Sequence, residues 1–206
     1  GPVAADSGAL LVAATHSFDE TPSPDVIVVP GGMTSFQHAY DEKLLEWLRS
    51  AHVTSTWTTS VCSGSIILAA AGLLTDRQAT SHWSVIKTLS KFGAMPVGDQ
   101  RIVQQGKIVT AAGVSAGLDM ALWLAGKIGG DAQACAIQLA IEYDPQPPYD
   151  MGHVTKASSD IKARASMLLG REFVRAGQIP APMILLWKQM LAKVRGRKRR
   201  AASDAN

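Results

Sequence analysis

The sequence is poor in cysteine, in aromatic residues and in long apolar runs, and each shortage excludes something. Only two cysteines, Cys62 and Cys135, occur in 206 residues. That is too few for a disulfide framework, so a reducing, cytoplasmic setting is expected. They stand far apart, and no two histidines sit at helical spacing, which argues against a zinc site; no metal and no cofactor are expected. No stretch approaches the roughly 18 consecutive apolar residues of a membrane span, so no membrane partner is expected. The start carries no basic segment followed by an apolar run, as a secretory signal would.

Acidic residues are missing from one stretch near the end of the chain. Between Lys188 and Arg200 there are seven basic side chains and no acidic one. Without them, 13 basic residues face 17 acidic ones, so the net charge of +3 belongs to the tail and the body carries −4. No basic surface for nucleic acid is expected on the body. A charge run of this kind is more often a solvated tail than a nucleic-acid grip, leaving weak contact through the tail as the only such partner expected.

What is present is a chain 47% hydrophobic and 18% charged, enough for one globular domain with a sizeable core and some extra structure at an end. Asp25 to Val29 is a short β-branched run ending in Pro30-Gly31-Gly32, a buried strand feeding a glycine-lined turn. Asp41 to Ser50 reads as a helix, His52 to Val61 as a second strand, and Ser63 to Leu74 as a buried helix. A short segment, Ala79 to His82, precedes a helical stretch from Trp83 to Phe92. Arg101 to Ala111, broken at Gln105-Gly106, suggests a hairpin or two short strands. Ser115 to Ile128 is a helix stopped by Gly129-Gly130, and Asp131 caps another that runs to about Tyr143. Strands alternating with helices indicate a doubly wound, mostly parallel α/β sheet. The prolines of 144–148 mark a boundary near residue 150. Beyond it, Ile161 to Arg175 and Met183 to Val194 read as a helical extension (151–194), followed by a basic flexible tail (195–206).

Cys62 stands where the second strand ends and a helix begins. Unpaired N–H groups and partial positive charge at a helix start favour thiolate, so a thiol pKa below the free value of about 8.5 is expected. Gly64 lets the helix start close to the strand, and the N–H of Gly31 or Gly32 could hold negative charge near the sulfur. A lone cysteine in an apolar setting is nevertheless more often a core residue than a nucleophile. Cys135, mid-helix, reads as core. His82 could share the sheet edge with Cys62, as a base or as a structural hydrogen-bonder.

Taken in order, Val28-Val29-Pro30-Gly31-Gly32, Ser60-Val61-Cys62-Ser63-Gly64-Ser65, Ala71-Gly72-Leu73-Leu74 and Ala79-Thr80-Ser81-His82-Trp83 resemble the ThiJ/PfpI family, and within it the isonitrile hydratases. Gly113 to Asp119 and the stretch from Gln138-Leu139 through Glu142 to Pro148 add to the likeness, which runs from about Val3 to Pro148. The resemblance implies a flavodoxin-like fold, usually a homodimer, with no cofactor and a small-molecule substrate. It implies a lyase in which Cys62 attacks the terminal carbon of an isonitrile and water releases an N-substituted formamide. The Gly32 and Ser63 amides would cradle the adduct, Gly31 and Gly64 would line the pocket, and His82 would orient groups or handle protons. Isonitrile hydratases often carry Thr where this chain has Ser63.

One departure concerns the opening strand-helix-strand unit of the family, which supplies a central strand and an acid bonded to the cysteine. It precedes the segment matched by Gly1-Pro2-Val3, and Asp6, Asp19 and Glu20 all lie after that position. A gap in the sheet with exposed strand edges is therefore expected. Two other functions fit the resemblance: a glyoxalase- or deglycase-like activity through Cys62, and a ligand-sensing domain of the kind fused to AraC-type regulators.

Overall fold

The computed structural model describes residues 2–4 and 10–175. The chain divides into two units, 1–162 and 163–206, the second described only to residue 175. The expected helix Met183–Val194, the basic tail and Asp6 lie outside the described residues.

The first unit is a four-stranded sheet covered by helices on both faces. Its strands are β3 (Val26–Val29), β4 (Trp57–Val61), β7 (Ile102–Gln105) and β8 (Ile108–Ala111), in the order β3-β4-β8-β7. β3, β4 and β8 are parallel, while β7 and β8 form an antiparallel hairpin turned at Gly106, whose φ is +62°. This is the mostly parallel α/β arrangement that the alternation of strands and helices predicts. β3 has no strand on its other side among the described residues, and its Val28 is 52% exposed.

Alternation along the strands divides the core in two. Ile27 and Val29 point to one face, where they join Leu45 and Leu48 of α2 (Glu42–Thr54) and Ile66 and Leu68 of α3 (Gly64–Ala70). Leu74 and Leu89 complete that cluster, Leu89 from a 3₁₀ helix over Ile86–Phe92. On the other face Val109 and Ala111 meet Ala116 and Met120 of α4 (Ala116–Gly129), flanked by Trp57, Val61 and Trp123. α5 (Asp131–Ala140) packs beside α4, and α6 (Ser159–Arg175) follows after an irregular stretch.

Several elements differ from the sequence expectation. His52–Thr54 complete α2 instead of opening β4, because Asp41 caps the helix through Leu44 N–H (3.3 Å) and Lys107 holds its far end. Lys107 Nζ donates to the carbonyls of His52 (2.5 Å), Val53 (3.1 Å) and Ser55 (3.0 Å). Such a cation satisfies carbonyls that a helix end leaves unpaired. In Trp83–Phe92 the first three residues form a turn and Ile86–Phe92 a 3₁₀ helix rather than an α-helix, and α3 stops at Ala70. Asp131 is the first residue of α5 rather than its cap, which is Gly130. Three further features were not anticipated: the hairpin β1 (Pro2–Ala4) with β2 (Leu11–Ala13), the pairing of β5 (Gln78–Ala79) with β6 (Met95–Pro96), and the four-residue helix α1 (Ser35–His38).

Candidate active site

β4 carries Cys62 to the carboxyl end of the sheet, and there the backbone turns abruptly. Cys62 has φ of +60°, in the left-handed region that a residue with a Cβ enters at a cost. Its peptide groups are held on both sides. The N–H donates to the carbonyls of Ala111 (3.1 Å) and Ala112 (2.8 Å), and the carbonyl accepts from the hydroxyls of Ser81 (3.0 Å) and Ser65 (3.2 Å).

Two glycines let the neighbouring loop close on this turn. A Cβ on Gly31 would lie 2.6 Å from Ser63 N and 2.9 Å from Cys62 Cβ; one on Gly64 would lie 2.2 Å from the Val29 carbonyl oxygen. The 30–32 loop and the start of α3 therefore touch backbone to backbone.

Ser63 is the residue that acts on the sulfur. Its N–H and its hydroxyl both hydrogen-bond the thiolate and pull its pKa down, but burial pushes the other way and prevails, so the Cys62 thiol stands above its ordinary value. The depressed pKa expected from the helix start is thus overturned. The sulfur is withdrawn from water, and a helix of seven residues with two local donors does not offset that loss.

The Ser63 hydroxyl also belongs to a compact cluster. It lies 3.0 Å from the Ser35 hydroxyl, and both accept from the Gly32 N–H, at 3.1 Å for Ser63 and 3.0 Å for Ser35. The Gly32 amide therefore reaches the sulfur through the Ser63 hydroxyl.

His82 is half-buried one residue beyond Ser81. Its Nδ1 lies 2.7 Å from the Ser84 hydroxyl and accepts from the Ser84 N–H at 3.4 Å. A nitrogen that accepts keeps its lone pair, so the proton of the neutral ring sits on Nε2. Burial lowers the His82 pKa, favouring that neutral ring. Its edge packs on Gly113, where an added Cβ would come within 3.3 Å of Cδ2.

The structure thus gathers Gly31, Gly32, Cys62, Ser63 and Gly64 at one turn, with His82 tethered to it through Ser81. Cys135 is exposed on α5 rather than in the core. Sequence reasoning missed Ser35, Ser65 and Ser81. Ser81 lies in the Ala79–Trp83 motif, where its residue type alone assigns it no role, and nothing in the sequence distinguishes Ser35. Among the described residues no cluster of His, Cys, Asp and Glu could hold a metal ion, and no helix is long and apolar enough to cross a membrane.

Comparison with known proteins gives this turn its context. Isonitrile hydratase of Pseudomonas putida is 41% identical over 160 residues, spanning 78% of this chain and 69% of that protein. The crystal structure of a ThiJ/PfpI family protein from Pseudomonas syringae superposes with a TM-score of 0.78 at 35% identity, covering 85% of this chain and 73% of that one. The HTH-type transcriptional regulator CdhR of Pseudomonas aeruginosa is 30% identical over 147 residues, which are 71% of this chain but only 41% of the regulator. The DJ-1/PfpI family profile matches residues 1–126, and the chain belongs to that family.

Proposed function

We propose that the chain is an isonitrile-hydratase-like lyase whose nucleophile is Cys62. The observation that carries this reading is the left-handed Cys62 backbone, which sets the sulfur against the Ser63 N–H and hydroxyl. Its 41% identity to an isonitrile hydratase supports the substrate class.

The chemistry follows from a thiol that burial keeps protonated at rest. Sulfur bonds to the terminal carbon of R–NC and the thiol proton ends on that carbon, giving a thioimidate, R–N=CH–S–Cys62. Water then adds to the same carbon while nitrogen gains a proton. The C–S bond breaks, releasing R–NH–CHO and returning Cys62 as the thiol, so that one water is consumed. Ser63 steadies negative charge on sulfur as the bond forms and as it breaks. His82, held neutral by burial with its proton on Nε2, donates a hydrogen bond from that atom and orients the water that adds. A small molecule is the substrate and a homodimer the working form; no cofactor takes part.

Incubation with cyclohexyl isocyanide tests the reading: the formamide should form with the parent chain and fall to background with Cys62→Ala. Equal product from both would end it. The likeness to CdhR favours a second reading, a ligand-sensing domain, for which the same compound would bind without being converted.

A further inference from the structure

We propose that Ser81 is the positioning residue of the Cys62 turn: its buried hydroxyl, reaching across from the segment after β5, holds the left-handed backbone that aims Sγ at the Ser63 donors. This deepens the hydration reading and takes its significance from it.

A non-glycine residue in the left-handed region costs about 1 kcal/mol or more and persists only where its surroundings over-determine it. The restraints on Cys62 are unequal. The β8 carbonyl and that of Ala112 fix its N–H but leave its own carbonyl free to swing. Ser65, which bonds that carbonyl, is the second residue of α3, so it moves with the helix that the turn begins. Ser81 is the anchor from a distant segment, 19 residues on, and it is only 2% exposed. Its segment is itself pinned: Thr80 N–H donates to Thr110 Oγ1 at 2.9 Å, and the Ala79 carbonyl accepts from Val97 N–H at 2.9 Å. Thr110 belongs to β8, the strand that also receives the Cys62 N–H. Both sides of the Cys62 peptide are thus referred to one strand, and His82, the next residue, shares the tether.

This matters to sulfur because burial opposes its ionisation and Ser63 alone is seen to favour it. The Cys62 carbonyl and the Ser63 N–H belong to one planar peptide unit, so if the carbonyl swings away that N–H turns with it and is lost to Sγ. The Ser63 hydroxyl, held by Gly32 and Ser35, stays in place as the one remaining donor.

The test is the pH dependence of alkylation by iodoacetamide, read separately at each cysteine by peptide mass spectrometry. Exposed Cys135 serves as the internal reference. In Ser81→Ala the Cys62 profile should move to higher pH, and its rate near neutrality should fall about fivefold, the worth of one ordinary hydrogen bond. Cys135 should not change, and Ser81→Thr should restore the parental profile. A Ser81→Ala profile superimposing on the parent overturns the proposal. If Ser81→Ala does not fold, Ser81→Cys decides, since it keeps the size but donates weakly: the same displacement supports the brace and a parental profile overturns it. Alkylation needs no isonitrile, so the two ideas fail separately. A parent with Ser81-dependent alkylation but no formamide production sinks only the hydration reading.

Discussion

An alanine methyl at position 64 would have to sit 2.2 Å from the Val29 carbonyl oxygen and 2.9 Å from the carbonyl carbon and oxygen of Pro30. All three are backbone atoms, so no rotamer relieves the clash. Restoring ordinary contact requires the end of β3 and the start of α3 to part by roughly 1 Å. α3 resists, because Ile66 and Leu68 are fully buried against the same strands. Overpacking of this kind costs about 3 kcal/mol. Alanine regains at most about 1 kcal/mol of backbone entropy over glycine, and less at the first turn of a helix. Gly64→Ala should therefore lose about 2 kcal/mol, lowering the melting temperature by roughly 4–8 °C for a domain of this size. Urea denaturation followed by tryptophan fluorescence measures it. Gly152→Ala, where an added Cβ meets nothing within 4 Å, is the control and should stay within about 0.5 kcal/mol of the parent. If Gly64→Ala proved as stable as that control, the close approach of strand and helix would be refuted.

Lys107→Met should cost about 1–2 kcal/mol in urea melts, because three carbonyls at the end of α2 lose their cation; an unchanged midpoint would count against the cap. Burial lowers the pKa of both His52 and His82, and for His52 the positive charges of Lys107 and Arg77 add to it. Their neutral forms are favoured in the fold, so this stability is present above about pH 6.5 and lost as pH falls through the folded values. The urea midpoint should drop on acidification, and less steeply in His52→Gln; a rise would contradict the burial argument. Cys62, shifted upward, acts at the other end: its share of stability is present below about pH 8.5 and lost as pH rises through the folded value.

The strand-turn-helix around Cys62 could be read from sequence because its signals are local. A β-branched run ending in Pro30-Gly31-Gly32 and a cysteine before Gly64 each announce a turn without tertiary help. The break at Gln105-Gly106 is similarly plain, while the choice between a hairpin and two short strands is made by the pairing of β7 with β8. The sequence makes β4 start too early because Val53 and Thr54 are β-branched, and the decisive contact, Lys107 on the end of α2, comes from more than 50 residues away. The two-residue pair β5–β6 lies below any periodic signal. In the site, glycines and cysteine were visible as residue types, whereas the Ser81 bond to Cys62 depends on a segment 19 residues on. The thiol pKa departs from the sequence expectation for a related reason. A helix start can be read along the chain, but burial is set by everything packed around it.

The most direct measurement is a peptide map of the chain quenched during exposure to an isonitrile. Nucleophilic attack by Cys62 predicts a mass increase equal to the whole isonitrile on the peptide containing Cys62 and none on that containing Cys135, the adduct decaying as formamide appears. Formamide produced at an undiminished rate by Cys62→Ala, or an adduct confined to Cys135, would contradict it.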